Sequence, residues 1–195
     1  MDDRASGEGP GTERSRSGRA TGRPLDGVRV VELATDVAGP FAGKLLAAFG
    51  AEVIKVEPPG GDPARAHGPF PPGIVPGTEA AQEQSALFLH LNTDKRSIVA
   101  DLERTGDREL VAGLIGGADL VLDSSAPGRL EQLDLGYDAM RERNPALVLT
   151  SITPFGQDGP YASMVGEDIV TYAMGGPMQS TGRDDAEPLK LSGNV

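Results

Sequence analysis

From Pro24 onward the apolar positions fall into short β-branched runs that alternate with helical stripes. Val28-Arg29-Val30-Val31-Glu32-Leu33 is bounded by Asp26-Gly27 and by a loop containing Gly39 and Pro40, which predicts a first strand. Leu45, Leu46 and Phe49 recur at helical spacing over residues 41–49, with Pro40 in a first-turn position and Gly50 as a stop. Glu52-Val53-Ile54-Lys55-Val56-Glu57 then reads as a second strand. Strand, loop, helix and strand in this order open a parallel, doubly wound sheet.

The alternation is interrupted once. Residues 58–84 hold seven of the sixteen prolines and five of the 27 glycines, which rules out regular structure for most of that stretch, and a loop of such length is expected to have a role. A short apolar element follows over residues 85–91, then a strand over 97–100. Leu110, Val111, Leu114 and Ile115 mark an amphipathic helix over 107–118. A strand over 119–123, helical segments near 129–133 and 137–144, and a strand over 146–152 continue the pattern. After the glycine-proline loop 154–160, residues 168–174 read as a short helix stopped by Gly175-Gly176, and 189–191 as one further short strand. The predicted fold class is α/β, a Rossmann-like parallel sheet with helices on both faces.

Composition sets the boundaries. Residues 1–23 contain only Met1, Ala5 and Ala20 as apolar residues, too few to offset the entropy of ordering them, so a flexible tail is expected before one domain over 24–195. The absence of cysteine excludes a disulfide scaffold, a zinc ribbon, an iron–sulfur site and a thiol nucleophile, and fits a reducing compartment. No apolar run is long enough to cross a bilayer and no signal peptide is evident, so a cytoplasmic protein without a membrane partner is expected. Eighteen basic against 29 acidic residues give a net charge of −11, which argues against nucleic acid as a partner. A single anionic ligand would need a local cluster of donors.

Several residues are candidates for chemistry. The loop Ala34-Thr35-Asp36-Val37-Ala38-Gly39-Pro40 lies where doubly wound sheets bind ligands, at the carboxyl end of a strand and the start of a helix. It lacks the three-glycine dinucleotide fingerprint, although Glu57 ends the second strand as a ribose-binding acid would. It also fails as a phosphate loop, because Leu45 follows Gly43-Lys44 where a hydroxyl is required. Lys95-Arg96, with Lys55, offers donors to a phosphate, although adjacent cations are also common on solvated surfaces. With two histidines, His67 and His90, and no cysteine, no metal site is expected. Asp168 opens a predicted helix; it suits a cap, and equally a carboxylate kept ionised as base or nucleophile.

Taken together, residues 24–195 resemble the N-terminal part of the family III CoA-transferases, the family that also includes α-methylacyl-CoA racemases. The matching segments are Pro24-Leu25-Asp26-Gly27-Val28-Arg29-Val30, Ala38-Gly39-Pro40, Leu45-Leu46-Ala47, Phe49-Gly50-Ala51-Glu52-Val53-Ile54-Lys55-Val56-Glu57 and Asn92 with Lys95-Arg96-Ser97-Ile98. Further along the chain come Ala118-Asp119 with Pro127-Gly128, Leu135-Gly136-Tyr137, Arg143-Asn144-Pro145 and Phe155-Gly156-Gln157-Asp158-Gly159-Pro160. The resemblance implies an enzyme that transfers coenzyme A between an acyl-CoA thioester and a carboxylic acid, with coenzyme A as substrate and no tightly bound cofactor. It implies interlocked dimers, so a homodimer, or a second chain supplying the C-terminal half, is the expected partner. Carried over by position, CoA contacts fall on Val37, Ala38, Lys95, Arg96, Ser124 and Ser125, although many relatives carry an aromatic residue and an arginine in the segment that here reads Ser124-Ser125-Ala126-Pro127-Gly128. The nucleophilic aspartate of transferase members is expected just past Val195, and Asp168 matches an aspartate that in racemases follows a catalytic histidine, replaced here by Glu167. Asp168 is thus the candidate catalytic carboxylate of this chain, in a polar or proton-transfer role, and the chain alone is expected to be inactive. The alternatives are a non-catalytic α/β CoA-binding or subunit protein and a racemase-like isomerase.

Overall fold

The computed structural model describes residues 22–183 and 185–190. The expected flexible tail, apart from Gly22 and Arg23, lies outside the described residues.

Five parallel strands form one sheet: β1 (Arg29–Glu32), β2 (Glu52–Glu57), β3 (Arg96–Val99), β4 (Leu120–Asp123) and β5 (Val148–Ser151). Their spatial order is β3-β2-β1-β4-β5, so the chain winds outward to one edge and then to the other from β1. The helices are α1 (Ala38–Ala48), α2 (Glu79–Gln82), α3 (Ala86–Leu91), α4 (Thr105–Gly116), α5 (Arg129–Gln132), α6 (Tyr137–Arg143) and α7 (Asp168–Met174).

Side-chain alternation along the strands divides the core into two layers. Val30, Val53 and Leu122 pack with Ala47 and Ala51 on the α1 face. Val31, Leu33, Val56 and Val121 pack on the opposite face with Val111 and Ile115 of α4 and Met140 of α6. Helices therefore cover both faces, as the alternation of elements predicts. Among the described residues, no helix is long and apolar enough to cross a membrane.

Element boundaries shift where backbone geometry overrides side-chain pattern. Helix α1 starts at Ala38, three residues before the apolar stripe, with Pro40 in its first turn, where a missing N–H leaves no helical bond unmade. The proline-rich stretch is mostly irregular but contains a 3-10 turn, Pro63–Ala66, capped by Asp62, and the short α2, capped by Thr78. Leu189 and Lys190, part of the last expected strand, lie in no strand; the Leu189 N–H donates instead to the Thr181 carbonyl at 3.3 Å. Leu191 lies outside the described residues.

Candidate ligand crevice and its charged support

Strand order reverses between β1 and β4, and at such a reversal the loops leaving the carboxyl ends of the two strands border the crevice where ligands usually sit in doubly wound sheets. The two loops are tied by one bond, from the Thr35 N–H to the Ser124 Oγ at 2.9 Å. The Ser125 N–H donates to Asp123 Oδ1 at 3.0 Å and turns the second loop away from the sheet. Val37, Ala38, Ser124 and Ser125, far apart in sequence, are thereby gathered at one end of the sheet. Helix α1 begins there with no side-chain cap and no acidic residue in its first turn, so none of its own first-turn side chains offsets the partial positive charge at that end. Gly39 allows this start to lie against the end of β1: a Cβ at position 39 would stand 2.2 Å from the Ala34 Cβ.

Beneath the crevice runs a chain of buried charges. Glu32 of β1, fully buried, accepts from Lys55 of β2 at 3.0 Å and pairs with Lys95 at 2.8 Å. Lys55 Nζ also donates to the Ala34 carbonyl at 2.9 Å and pairs with Asp62 at 2.7 Å. Asp62 Oδ1 accepts from the Asp36 and Ala64 N–H groups at 3.0 and 2.8 Å. The Asp62 N–H donates to Glu57 Oε2, which pairs with Arg65 Nε at 2.7 Å, and the Ser97 hydroxyl donates to Glu57 Oε1. The Arg65 guanidinium lies 3.6 Å from the centre of the Phe88 ring. Three cations (Lys55, Arg65 and Lys95) thus face three carboxylates (Glu32, Glu57 and Asp62), and the set is neutral. Such balance is what makes burial of six charges tolerable.

Titration reflects these contacts. Burial alone would raise the Glu57 carboxyl, but Arg65, the Ser97 hydroxyl and the Asp62 N–H together outweigh it and hold the group down at about 2. Glu57 raises Arg65 in return. Burial pushes the Lys95 ammonium below its ordinary value, with Glu32 acting in the other direction.

The geometry redistributes the expected roles. Both oxygens of Glu57, which ends β2 where a ribose-binding acid would sit, are engaged within the protein by Arg65, Ser97 and the Asp62 N–H. Lys95 and Arg96, adjacent in sequence, part company. The Lys95 ammonium is buried and donates to Glu32, to the Pro40 carbonyl at 2.7 Å and to Asn92 Oδ1 at 2.9 Å, so it faces the start of α1 from within. Arg96 is exposed on the edge strand β3 and pairs with Glu52 at 2.7 Å. Asp168 opens α7 and pairs with Lys190 at 2.5 Å. The start of this helix is pressed onto the loop after β5, since a Cβ at Gly166 would stand 2.1 Å from the Pro154 Cβ. His90 meets Lys44 at about 3 Å, and among the described residues no group of three His, Asp or Glu side chains is placed to hold a metal ion.

Glu32, Asp62 and Arg65 are supporting residues that sequence reasoning missed. A signal was present: Glu32 and Lys55 interrupt β-branched runs of interior parallel strands, where only a paired charge is tolerated.

The family description "CoA-transferase family III" matches residues 25–195. A succinate–glutarate CoA-transferase of Agrobacterium fabrum is 46% identical over 171 residues, 86% of this chain and 41% of that protein. A succinyl-CoA:glutarate CoA-transferase of Mus musculus is 36% identical over 187 residues, 95% of this chain and 41% of that protein. Among solved structures, a CAIB/BAIF family protein from Brucella suis superposes with a TM-score of 0.78 at 43% identity, covering 88% of this chain and 44% of that one. The chain therefore spans about two fifths of the length of the curated relatives it matches.

Proposed function

The chain belongs to CoA-transferase family III, and from that premise we propose that its described residues form the coenzyme A-binding part of an enzyme that moves CoA from an acyl-CoA thioester to a carboxylic acid. The observation that carries this reading is the crevice itself, where the Thr35–Ser124 bond brings the start of α1 and the loop after β4 together at the point of strand reversal. Val37 and Ala38 offer backbone groups at a helix start, and Ser124 and Ser125 offer hydroxyls, a set suited to the polar backbone and phosphates of CoA. Lys95 supports the site from below, and Arg96 is left to the protein surface.

Exchange of CoA through a carboxylate nucleophile splits one difficult acyl transfer into reversible steps. Asp168 is assigned a polar or proton-transfer role, since its carboxylate is held by the Lys190 ammonium, and the acyl-carrying carboxylate is assigned to a part of the enzyme outside the described residues. Succinyl-CoA with a short dicarboxylic acid is the first substrate pair to test, because the Agrobacterium fabrum and mouse relatives bear such substrates in their names.

Titrating the isotope-labelled chain with free CoA tests the reading. Amide shifts are expected at residues 35–38 and 124–128 and not on α6. Saturable shifts confined to other surfaces, or none at millimolar CoA, reject it.

A further inference from the structure

Three consecutive residues of the crevice loop each have a backbone group fixed by a side chain from another element. The Ala34 carbonyl accepts from Lys55 Nζ at 2.9 Å, the Thr35 N–H donates to Ser124 Oγ at 2.9 Å, and the Asp36 N–H donates to Asp62 Oδ1 at 3.0 Å. Asp36 has φ of 68°, in the left-handed region that L-residues enter at a cost, so this backbone needs something to hold it. We propose that Asp62 is a positioning residue that sets residues 34–36 at the mouth of the crevice and thereby governs its affinity for CoA.

The two oxygens of Asp62 have separate tasks. Oδ2 faces Lys55, whose charge Glu32 also meets, whereas Oδ1 accepts from Asp36 and from Ala64. The second bond caps the 3-10 turn Pro63–Ala66, so one buried carboxylate joins the proline-rich segment to the ligand loop. This gives the long irregular stretch a function: it carries Asp62 and Arg65 back over the ends of β1 and β2. The inference rests on the reading of the crevice as the CoA site, and its test separates the two.

The experiment compares the whole chain with Asp62→Ala and Asp62→Asn, reading amide hydrogen exchange by NMR and affinity for free CoA by calorimetry. In Asp62→Ala the Asp36 amide is expected to exchange at least tenfold faster while Val30 and Val121 keep their protection, and CoA is expected to bind at least fivefold more weakly. Asp62→Asn keeps an oxygen acceptor for Asp36 but turns an uncharged amide N–H group toward Lys55, so it should lower global stability while Asp36 exchange, taken relative to Val30 and Val121, and CoA affinity stay within about twofold of wild type. Equal damage by Asn and Ala would show that Asp62 only balances Lys55 and overturn the proposal. Unchanged Asp36 exchange in Asp62→Ala, or a freed Asp36 amide with unchanged CoA affinity, overturns it as well. If Asp62→Ala does not fold, Asp62→Asn decides alone: retained Asp36 protection supports the proposal and lost protection overturns it. A wild-type chain that binds no CoA rejects the reading of the crevice, while Asp36 exchange still decides whether Asp62 holds the loop.

Discussion

Gly43 lies so close to the Glu32 carboxylate that a Cβ at position 43 would stand 1.8 Å from Oε2. A glycine in the middle of a helix costs about 1 kcal/mol relative to alanine, so α1 gives up intrinsic helicity to let the buried Glu32–Lys95 pair pass beneath it. Gly43→Ala should therefore destabilise the chain despite the gain in helix propensity, by about 2 kcal/mol, as overpacking against a fixed charged group does. Chemical denaturation checks this; a stabilised variant would show that Glu32 can move aside.

Lys95 and Arg96 should behave oppositely. Removing Lys95 by Ala leaves Glu32 with Lys55 alone and frees the acceptors at Pro40 and Asn92, a loss of about 3–5 kcal/mol. Arg96→Ala removes an exposed pair with Glu52 and should cost less than about 1 kcal/mol. Urea midpoints of the two variants measure the contrast.

Acid sensitivity should centre on Glu57. Its folded pKa, about 2, lies below the ordinary 4.5, so its contribution to stability is full above about pH 4.5 and is lost as pH falls toward 2. That contribution is about 3 kcal/mol for a shift of this size. Glu57→Gln should be less stable than wild type by that order at pH 7, and the difference should shrink steadily below pH 4.5. Thermal unfolding across pH 2–7 follows it; a gap that stays constant with pH would contradict the assignment.

Asn144 is buried, donates to the Ala118 carbonyl at 2.6 Å and accepts from the Ala146 N–H at 3.3 Å, tying the end of α6 to the turn before β4. Asn144→Ala should cost about 2 kcal/mol, because a buried carbonyl loses its donor. CoA titration of this variant should give wild-type affinity, which separates a structural motif residue from a ligand contact.

Much of the fold is legible locally. Val30-Val31 and Val53-Ile54 declare strands, the stripe from Leu110 to Ile115 declares a helix, and their alternation implies parallel winding. Position in that winding also points to the crevice, since the loop after the first strand of such a sheet is a common ligand position. The proline-rich stretch is legible as mostly irregular, but its bond to the crevice loop is not, because Asp62 meets Asp36 through space and no periodicity records the contact.

The sequence by itself determined the five sheet strands, the longer helices, their order and the α/β class, because helix and strand periods are properties of neighbouring residues. Only the tertiary structure decided which charges meet. Lys95 reads as a surface phosphate donor beside Arg96, yet it points inward to Glu32, 63 residues away in the chain. That pairing exists because the turn before β3 lies beneath α1, where the Lys95 ammonium reaches both the Pro40 carbonyl and the Glu32 carboxylate, a placement set by how the whole sheet winds. A buried charge is stable only where the winding brings it an opposite charge.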